Sequence, residues 1–147
     1  MSRTFYDAAS RVVKVQSGIG TDWVRDDVTS TYTPNGRLAT VTDAEANRTT
    51  YEYDLFDRLA KTRYPSKTIP NQSSTLDFEL LAYDAGSRVT SRTLRDETVI
   101  AFGYDDLDRL VLKDLPGTET NVTYAYDWLN RMTTAAQGNV QFRGHYT

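Results

Sequence analysis

The sequence has no cysteine. That excludes a disulfide framework, a thiolate metal site and a cysteine nucleophile. It has one histidine, His145, so any Ser–His or His–metal chemistry would have to run through that residue. Hydrophobic residues make up 39% of the 147 positions, less than a globular domain usually carries. This argues for a thin or one-sided structure over a compact single core. No stretch approaches the roughly 20 apolar residues that span a membrane as a helix, and Met1–Asp7 has no apolar run of the kind a secretory signal needs. There is no basic excess either. The formal net charge is -3 and the pI is near 5.1, which gives no footing for a nucleic-acid or anionic-membrane surface.

Aromatic residues are plentiful: 10 Tyr, 5 Phe and 2 Trp, enough to argue against disorder. All the Tyr except Tyr64 fall in positions related by a repeat. The repeat reads Tyr, Asp, three variable residues, Arg, then Val, Leu or Met. It occurs at 6–12, 32–38, 53–59, 83–89, 104–110 and 126–132, with start-to-start spacings of 26, 21, 30, 21 and 22. Its fixed residues are Tyr6, Asp7 and Arg11; Tyr32 and Arg37; Tyr53, Asp54 and Arg58; Tyr83, Asp84 and Arg88; Tyr104, Asp105 and Arg109; and Tyr126, Asp127 and Arg131. In the second copy Thr33 replaces the Asp and Gly36 occupies the fifth place. A period of this size signals a repeat architecture. We read residues 1–147 as a single array of about six such units. Tyr146 has the same setting as Tyr51 and Tyr124, two residues before a motif Tyr. A seventh motif is therefore expected to begin at 148, so that the array continues past Thr147.

Each unit predicts a β-hairpin. Before the motif Tyr, apolar and polar residues alternate: Val122, Tyr124 and Tyr126, or Ile100, Phe102 and Tyr104, against Thr123 and Ala125. Period-two alternation of β-branched and aromatic residues is the strand signal. After the Tyr comes turn chemistry, clearest in Thr33-Pro34-Asn35-Gly36. Asp57, Asp108 and Asn130 stand in for that Gly and tolerate the left-handed region. Ser10 and Ser87 suit it less, and Gly86 predicts a turn shifted by one residue in the fourth copy. Among the connections, 43–47 and 115–118 read as short turns and 17–20 opens a longer one. Asp26-Asp27 falls in a connection, and 65–74 is an excursion between hairpins. No window has helical periodicity. The expected fold is all-β: consecutive antiparallel hairpins in a curved, open repeat sheet.

The motif, with its Tyr-x-Tyr-Asp form at Tyr51–Asp54 and Tyr124–Asp127, resembles the YD repeat of Rhs proteins over essentially the whole chain. The same repeats occur in the BC components of insecticidal Tc toxin complexes, in bacterial wall-associated proteins and in teneurins. The resemblance implies hairpins joined side by side into a strip that spirals into a hollow shell. In bacterial members such a shell encloses a C-terminal toxic domain, often released by a self-cleaving aspartate-containing core segment. In teneurins it belongs to an adhesion receptor, and carbohydrate binding has been associated with the repeats. This sequence has too few repeats to close a shell, lacks the core segment and has no toxin domain. Toxin activity and self-cleavage are therefore not carried over.

The function expected is a non-catalytic structural segment of a shell that encapsulates a toxin or other polypeptide. The alternative is a carbohydrate- or cell-surface-binding module of a secreted or surface protein. The expected partners are further YD repeats or another copy of the chain, together with an enclosed polypeptide or a glycan. Nucleic acid and membrane insertion are not expected, and no cofactor is called for. The parent family is typically secreted or on the cell surface. Enzyme readings find no constellation. Asp26-Asp27 and Asp105-Asp106-Asp108 could suggest a Ca²⁺ site or an acid pair, but the turn already accounts for Asp105 and Asp108. EF-hand spacing is absent, and Gly18 with Gly20 is too little for a phosphate loop. Recurrence at a turn favours a structural role for the motif Tyr and Arg over a ligand platform.

Overall fold

The computed structural model describes residues 1–19 and 22–144. The expectations placed on Gly20, His145 and Tyr146 lie outside them.

Every motif closes a hairpin in the same way. In the first copy Ser10 N–H donates to Asp7 C=O at 3.0 Å, and Asp7 N–H donates to Arg11 C=O at 3.0 Å. The first bond closes a β-turn. The second closes the hairpin around a residue that must be left-handed, the bulged three-residue loop of tight antiparallel connections. That residue is the fifth of the motif in all six copies: Ser10 (φ 61), Gly36 (φ 83), Asp57 (φ 58), Ser87 (φ 64), Asp108 (φ 63) and Asn130 (φ 62). The bulge shows in the pairing. Phe5 faces Lys14, but Tyr6 faces Val12, and in the other copies the motif Tyr likewise faces the motif aliphatic residue.

The fourth copy corrects an expectation. Its left-handed residue is Ser87, not Gly86, so the turn is not shifted. The closing bonds, Ser87 N–H to Asp84 C=O and Asp84 N–H to Arg88 C=O, fix the loop length. The left-handed position then falls where the hydrogen bonds require it, whatever residue stands there.

Contacts divide the chain into two units, Met1–Glu79 and Leu80–Thr147, with the boundary inside one strand. The first unit holds β1 (Ser2–Tyr6), β2 (Val12–Ile19), β3 (Asp22–Tyr32), β4 (Leu38–Asp43), β5 (Arg48–Tyr53), β6 (Leu59–Pro65) and the first part of β7 (Ser73–Tyr83). The second holds the rest of β7, then β8 (Val89–Thr93), β9 (Val99–Tyr104), β10 (Leu110–Asp114), β11 (Val122–Tyr126), β12 (Met132–Gln137) and β13 (Val140–Arg143). The 13 strands form one open, antiparallel sheet whose order follows the chain without crossover. No helix occurs among the described residues.

The connections differ from expectation in three places. Ser17, Gly18 and Ile19 belong to β2, and Asp26-Asp27 lies within β3. Bulges at Val15/Gln16 and Ser17/Gly18 absorb the mismatch between these two long strands. Side-chain bonds then hold them together: Lys14 and Gln16 to Asp26, and Ser17 to Asp27. The segment 115–121 is longer than a short turn, and Asn121 Oδ1 holds it by accepting from Leu115 N–H at 2.8 Å.

None of the described hydrophobic side chains is fully buried, and Thr42 is the one buried residue among them. The accessible surface is 10140 Å², against roughly 7,600 Å² for a compact protein of this mass. A sheet with no second layer explains the excess. Alternation still sorts the residues: in β11, Val122, Tyr124 and Tyr126 are half-buried while Thr123 and Ala125 are exposed. Stability must come from the hydrogen-bond ladder, cross-strand pairs and contacts between neighbouring hairpins.

Two further turns have the same closure without the motif. Asp43 N–H donates to Asn47 C=O around Ala46 (φ 64), and Leu94 N–H to Thr98 C=O around Glu97 (φ 67). A left-handed non-glycine residue costs roughly 1–2 kcal/mol, partly offset in glycine by the entropy it loses on folding. Glu97→Gly and Ala46→Gly are each expected to stabilise the fold by up to about 1 kcal/mol and Gly36→Val to destabilise it by at least that much, as read from thermal melts.

Candidate functional site

The repeated turn is where the motif side chains meet. In the first copy Asp7 Oδ1 accepts from the main-chain N–H of Ala9 (2.9 Å) and of Arg11 (3.0 Å). Its Oδ2 accepts from Arg11 Nε (2.7 Å) and Nη2 (2.7 Å). One carboxylate therefore satisfies two turn amides and grips the guanidinium in a charge-assisted fork. Asp54 with Arg58, Asp105 with Arg109 and Asp127 with Arg131 repeat the arrangement. In the fourth copy Asp84 accepts from Arg88 N–H (2.9 Å) and Nε (2.6 Å). In the second, Thr33 Oγ1 accepts from Arg37 N–H at 3.1 Å, and a hydroxyl cannot form the ion pair. Asp43 builds a neutral version, with Asn47 Nδ2 on its Oδ2 at 2.9 Å.

These bonds hold the carboxyls below their usual range. For Asp7 and Asp105 the guanidinium hydrogen bond is the leading cause. For Asp84 and Asp127 it is the main-chain N–H of the following Arg. At Asp54, burial pushes upward and is outweighed by the N–H and guanidinium of Arg58.

A second set of contacts links each hairpin to the next within a unit. Tyr32 Oη donates to Val12 C=O at 2.7 Å and Tyr53 Oη to Leu38 C=O at 2.9 Å. In the second unit Tyr104 Oη donates to Val89 C=O at 2.9 Å and Tyr126 Oη to Leu110 C=O at 2.8 Å. The acceptor is always the residue after the motif Arg of the preceding copy. That Arg also lies over the Tyr ring: Arg11 over Tyr32 at 4.4 Å, Arg88 over Tyr104 at 5.0 Å and Arg109 over Tyr126 at 4.8 Å. Such stacking adds attraction between guanidinium and ring face.

The Arg tips reach further. Arg88 Nη1 bonds Asp108 and Arg109 Nη1 bonds Asn130 Oδ1 at 2.9 Å. A Cβ at Gly36 would lie 3.4 Å from Arg11 Nη1. Tyr6 is the exception among the motif tyrosines, being 61% exposed. The turn tips expose Leu55, Phe56, Leu107, Trp128 and Leu129, with Trp128 at 87%.

Four of the five carboxylates considered for chemistry are engaged elsewhere, Asp108 with Arg88 among them. Asp26 pairs with Lys14, Asp27 with Arg25, and Asp105 with Arg109. Among the described residues no group of three acidic or histidine side chains converges as a metal site. His145 lies outside the described residues.

Residues 32–69 match the family model described as RHS Repeat. The chain resembles RHS repeats over that stretch. The resemblance to Rhs and YD repeats is thereby borne out, and a match of the fold covers nearly all of the array. A TcdB2-TccC3 crystal structure aligns with 92% of the chain at TM-score 0.69 and 18% identity. A Tc holotoxin pore of Photorhabdus luminescens, carrying a mutant TccC3, aligns with 97% at TM-score 0.72 and 20% identity. TcdB2-TccC3 without its hypervariable C-terminal region aligns with 92% at TM-score 0.69 and 17% identity. The chain spans 8%, 8% and 7% of those chains. No curated protein matches the sequence. Taken with the repeat geometry, these findings give the chain the fold of an Rhs-type repeat sheet.

Two outcomes test this geometry. Tyr53→Phe removes one inter-hairpin hydrogen bond and leaves the Leu38 carbonyl without it, and is expected to cost about 1 kcal/mol in urea unfolding. The depressed carboxyls have a definite sign. Their contribution is complete above the unfolded Asp value near 3.9 and is lost as pH falls through the lower native values. Thermal melts at pH 7, 5 and 3 should show stability held to about pH 5 and falling below about pH 4, with Asp105→Asn less stable at pH 7 and less sensitive to acid.

Proposed function

We propose that this array is a stretch of wall in a larger Rhs-type β-shell that separates an enclosed polypeptide from its surroundings. The observation that carries the reading is the sheet without a core. Its described apolar side chains are at best half-buried, yet the rungs joining hairpin to hairpin repeat with the same donor and acceptor. A surface of that kind is useful when more sheet and an enclosed chain cover it. The aligned Tc toxin structures, many times longer than this chain, support the same reading, with a toxin-like polypeptide as the occupant.

A carbohydrate-binding role is the second reading, favoured by one observation: Trp128 stands almost fully exposed at a turn tip beside Leu129. Exposed aromatics of this sort can stack on sugar rings.

Sedimentation velocity of the chain alone is expected to show concentration-dependent self-association, because its outer strands and apolar side chains lack cover. The dye ANS should brighten on the same sample. A stable monomer that leaves ANS dark would count against the wall reading. In the natural gene product, the enclosed polypeptide should resist trypsin until motif tyrosines such as Tyr53 and Tyr104 are replaced by Ala. On a glycan array, saturable binding abolished by Trp128→Ala would favour the second reading.

A further inference from the structure

The first unit contains a shallow, solvent-open polar cavity that the repeat does not explain. Its volume is about 210 Å³ and its lining is Arg48, Thr50, Arg63, Asn71, Gln72 and Ser73. None of these belongs to the Tyr–Asp–Arg motif. Strand geometry places three of them together. Thr50 and Arg63 are cross-strand partners on β5 and β6, so their side chains share a face. Arg48 precedes Thr50 by two residues and projects from that same face.

The long connection 66–72 supplies the rest. Asn71, left-handed at φ 59, donates its N–H to Ala46 C=O at 2.8 Å and ties the connection to the neighbouring turn. Ser66 N–H closes the loop on Gln72 C=O at 2.8 Å. Ser73 Oγ donates to Arg48 C=O at 2.8 Å and lies 2.7 Å from Thr50 Oγ1. Asn71 and Gln72 are thus held at the mouth while two guanidinium groups form the wall.

The guanidinium groups are not used up by the fold. Arg63 donates from Nε to Ser74 C=O (2.9 Å), from Nη2 to Ser73 C=O (3.4 Å) and from Nη1 to Glu52 (3.3 Å). Arg48 donates only from Nε, to Thr42 Oγ1 at 3.3 Å. A guanidinium has five N–H donors, so the Nη hydrogens of Arg48 have no protein acceptor among the described residues. The side-chain amides of Asn71 and Gln72 make no hydrogen bond there either. In a chain of net charge -3, two arginines share a concave site in which Glu52 balances one of them.

We propose that this cavity binds a small oxyanion, free or carried on a single sugar ring as a carboxylate or sulfate. Planar guanidinium groups match such groups in a fork, and the hydroxyl and carboxamide groups suit the hydroxyls of a sugar. The volume equals about seven waters' share of the liquid. It lies below the 300 Å³ or so at which pockets for drug-sized ligands begin.

The test is a titration of the full chain with sodium glucuronate and with sodium sulfate, followed by amide and Arg Nε NMR shifts, with glucose as the neutral control. Saturable shifts centred on Thr50, Asn71, Gln72 and Ser73 are expected, with Kd on the order of millimolar and weakening as salt is added. Glucuronate binding tighter than sulfate identifies the sugar-borne source, and equal binding identifies the free ion. Arg48→Gln should weaken binding about tenfold with an unchanged far-UV CD spectrum. Gln72→Glu, at an exposed position, should do the same by repulsion. Absence of saturable shifts at these residues, an equal response to glucose, or unchanged affinity in both variants would overturn the proposal.

Discussion

The structure depends on one carboxylate placed at the start of a five-residue turn. In five of the six motif turns an Asp presents its N–H, its C=O and its side-chain oxygens to partners three or four residues ahead. This fixes loop length, and loop length fixes register. A slip of one residue would turn every side chain of the return strand to the other face. The same grip orients the Arg, which then covers the tyrosine ring of the next hairpin in the first, fourth and fifth copies. Local turn chemistry and inter-hairpin packing are therefore one mechanism. The Asp sets the Arg, the Arg meets the Tyr, and the Tyr hydroxyl anchors on a carbonyl two residues before pairing with the next strand begins.

That mechanism is why the fold was so legible in the sequence. Tyr, Asp and Arg each meet a chemical demand that few other residues meet, so they recur visibly. The rest of the strands need only alternate. What could not be read has the opposite character. At Ser87, Ala46 and Glu97 the backbone is left-handed because surrounding hydrogen bonds impose it, and no residue preference marks the position. Asp26-Asp27 has the composition of a turn but lies in a strand, because Lys14, Gln16 and Ser17 of the paired strand give its carboxylates partners. The cavity around Arg48 and Arg63 was equally invisible. Its residues come from two strands and the long connection, and hydrogen bonds such as Asn71–Ala46 and Ser73–Arg48 bring them together.

The missing core changes how stability is distributed. Where a globular domain gains most from burying apolar side chains, this sheet buries its described apolar side chains only in part and leaves many exposed. Each tyrosine is amphipathic, with a ring that packs and a hydroxyl that bonds. The motif arginines of the first, fourth and fifth copies lay a planar group over that ring. Long polar side chains thus do some of the covering that a second layer would otherwise do. The result can be extended by adding hairpins, because the four described rungs share the same hydroxyl-to-carbonyl bond and none requires a unique interior. The wall proposed above rests on this property.

The second copy shows how much latitude the design allows. Thr33 lacks the carboxylate, so its turn loses the fork to Arg37 and keeps one side-chain bond, to the Arg37 amide. It is also the copy with glycine in the left-handed position. The first and fourth copies reverse this: Ser10 and Ser87 suit that backbone poorly, but each sits inside a full Asp–Arg grip. The weaker cap coincides with the unstrained residue and the strained residues with stronger caps. The two devices act on the same closed loop, so a deficit in one is tolerated where the other is intact. A motif position can then vary widely along an array without the register failing. Such variation is what leaves turn tips such as Leu55-Phe56 and Trp128-Leu129 free to take on contacts that the hairpin itself does not need.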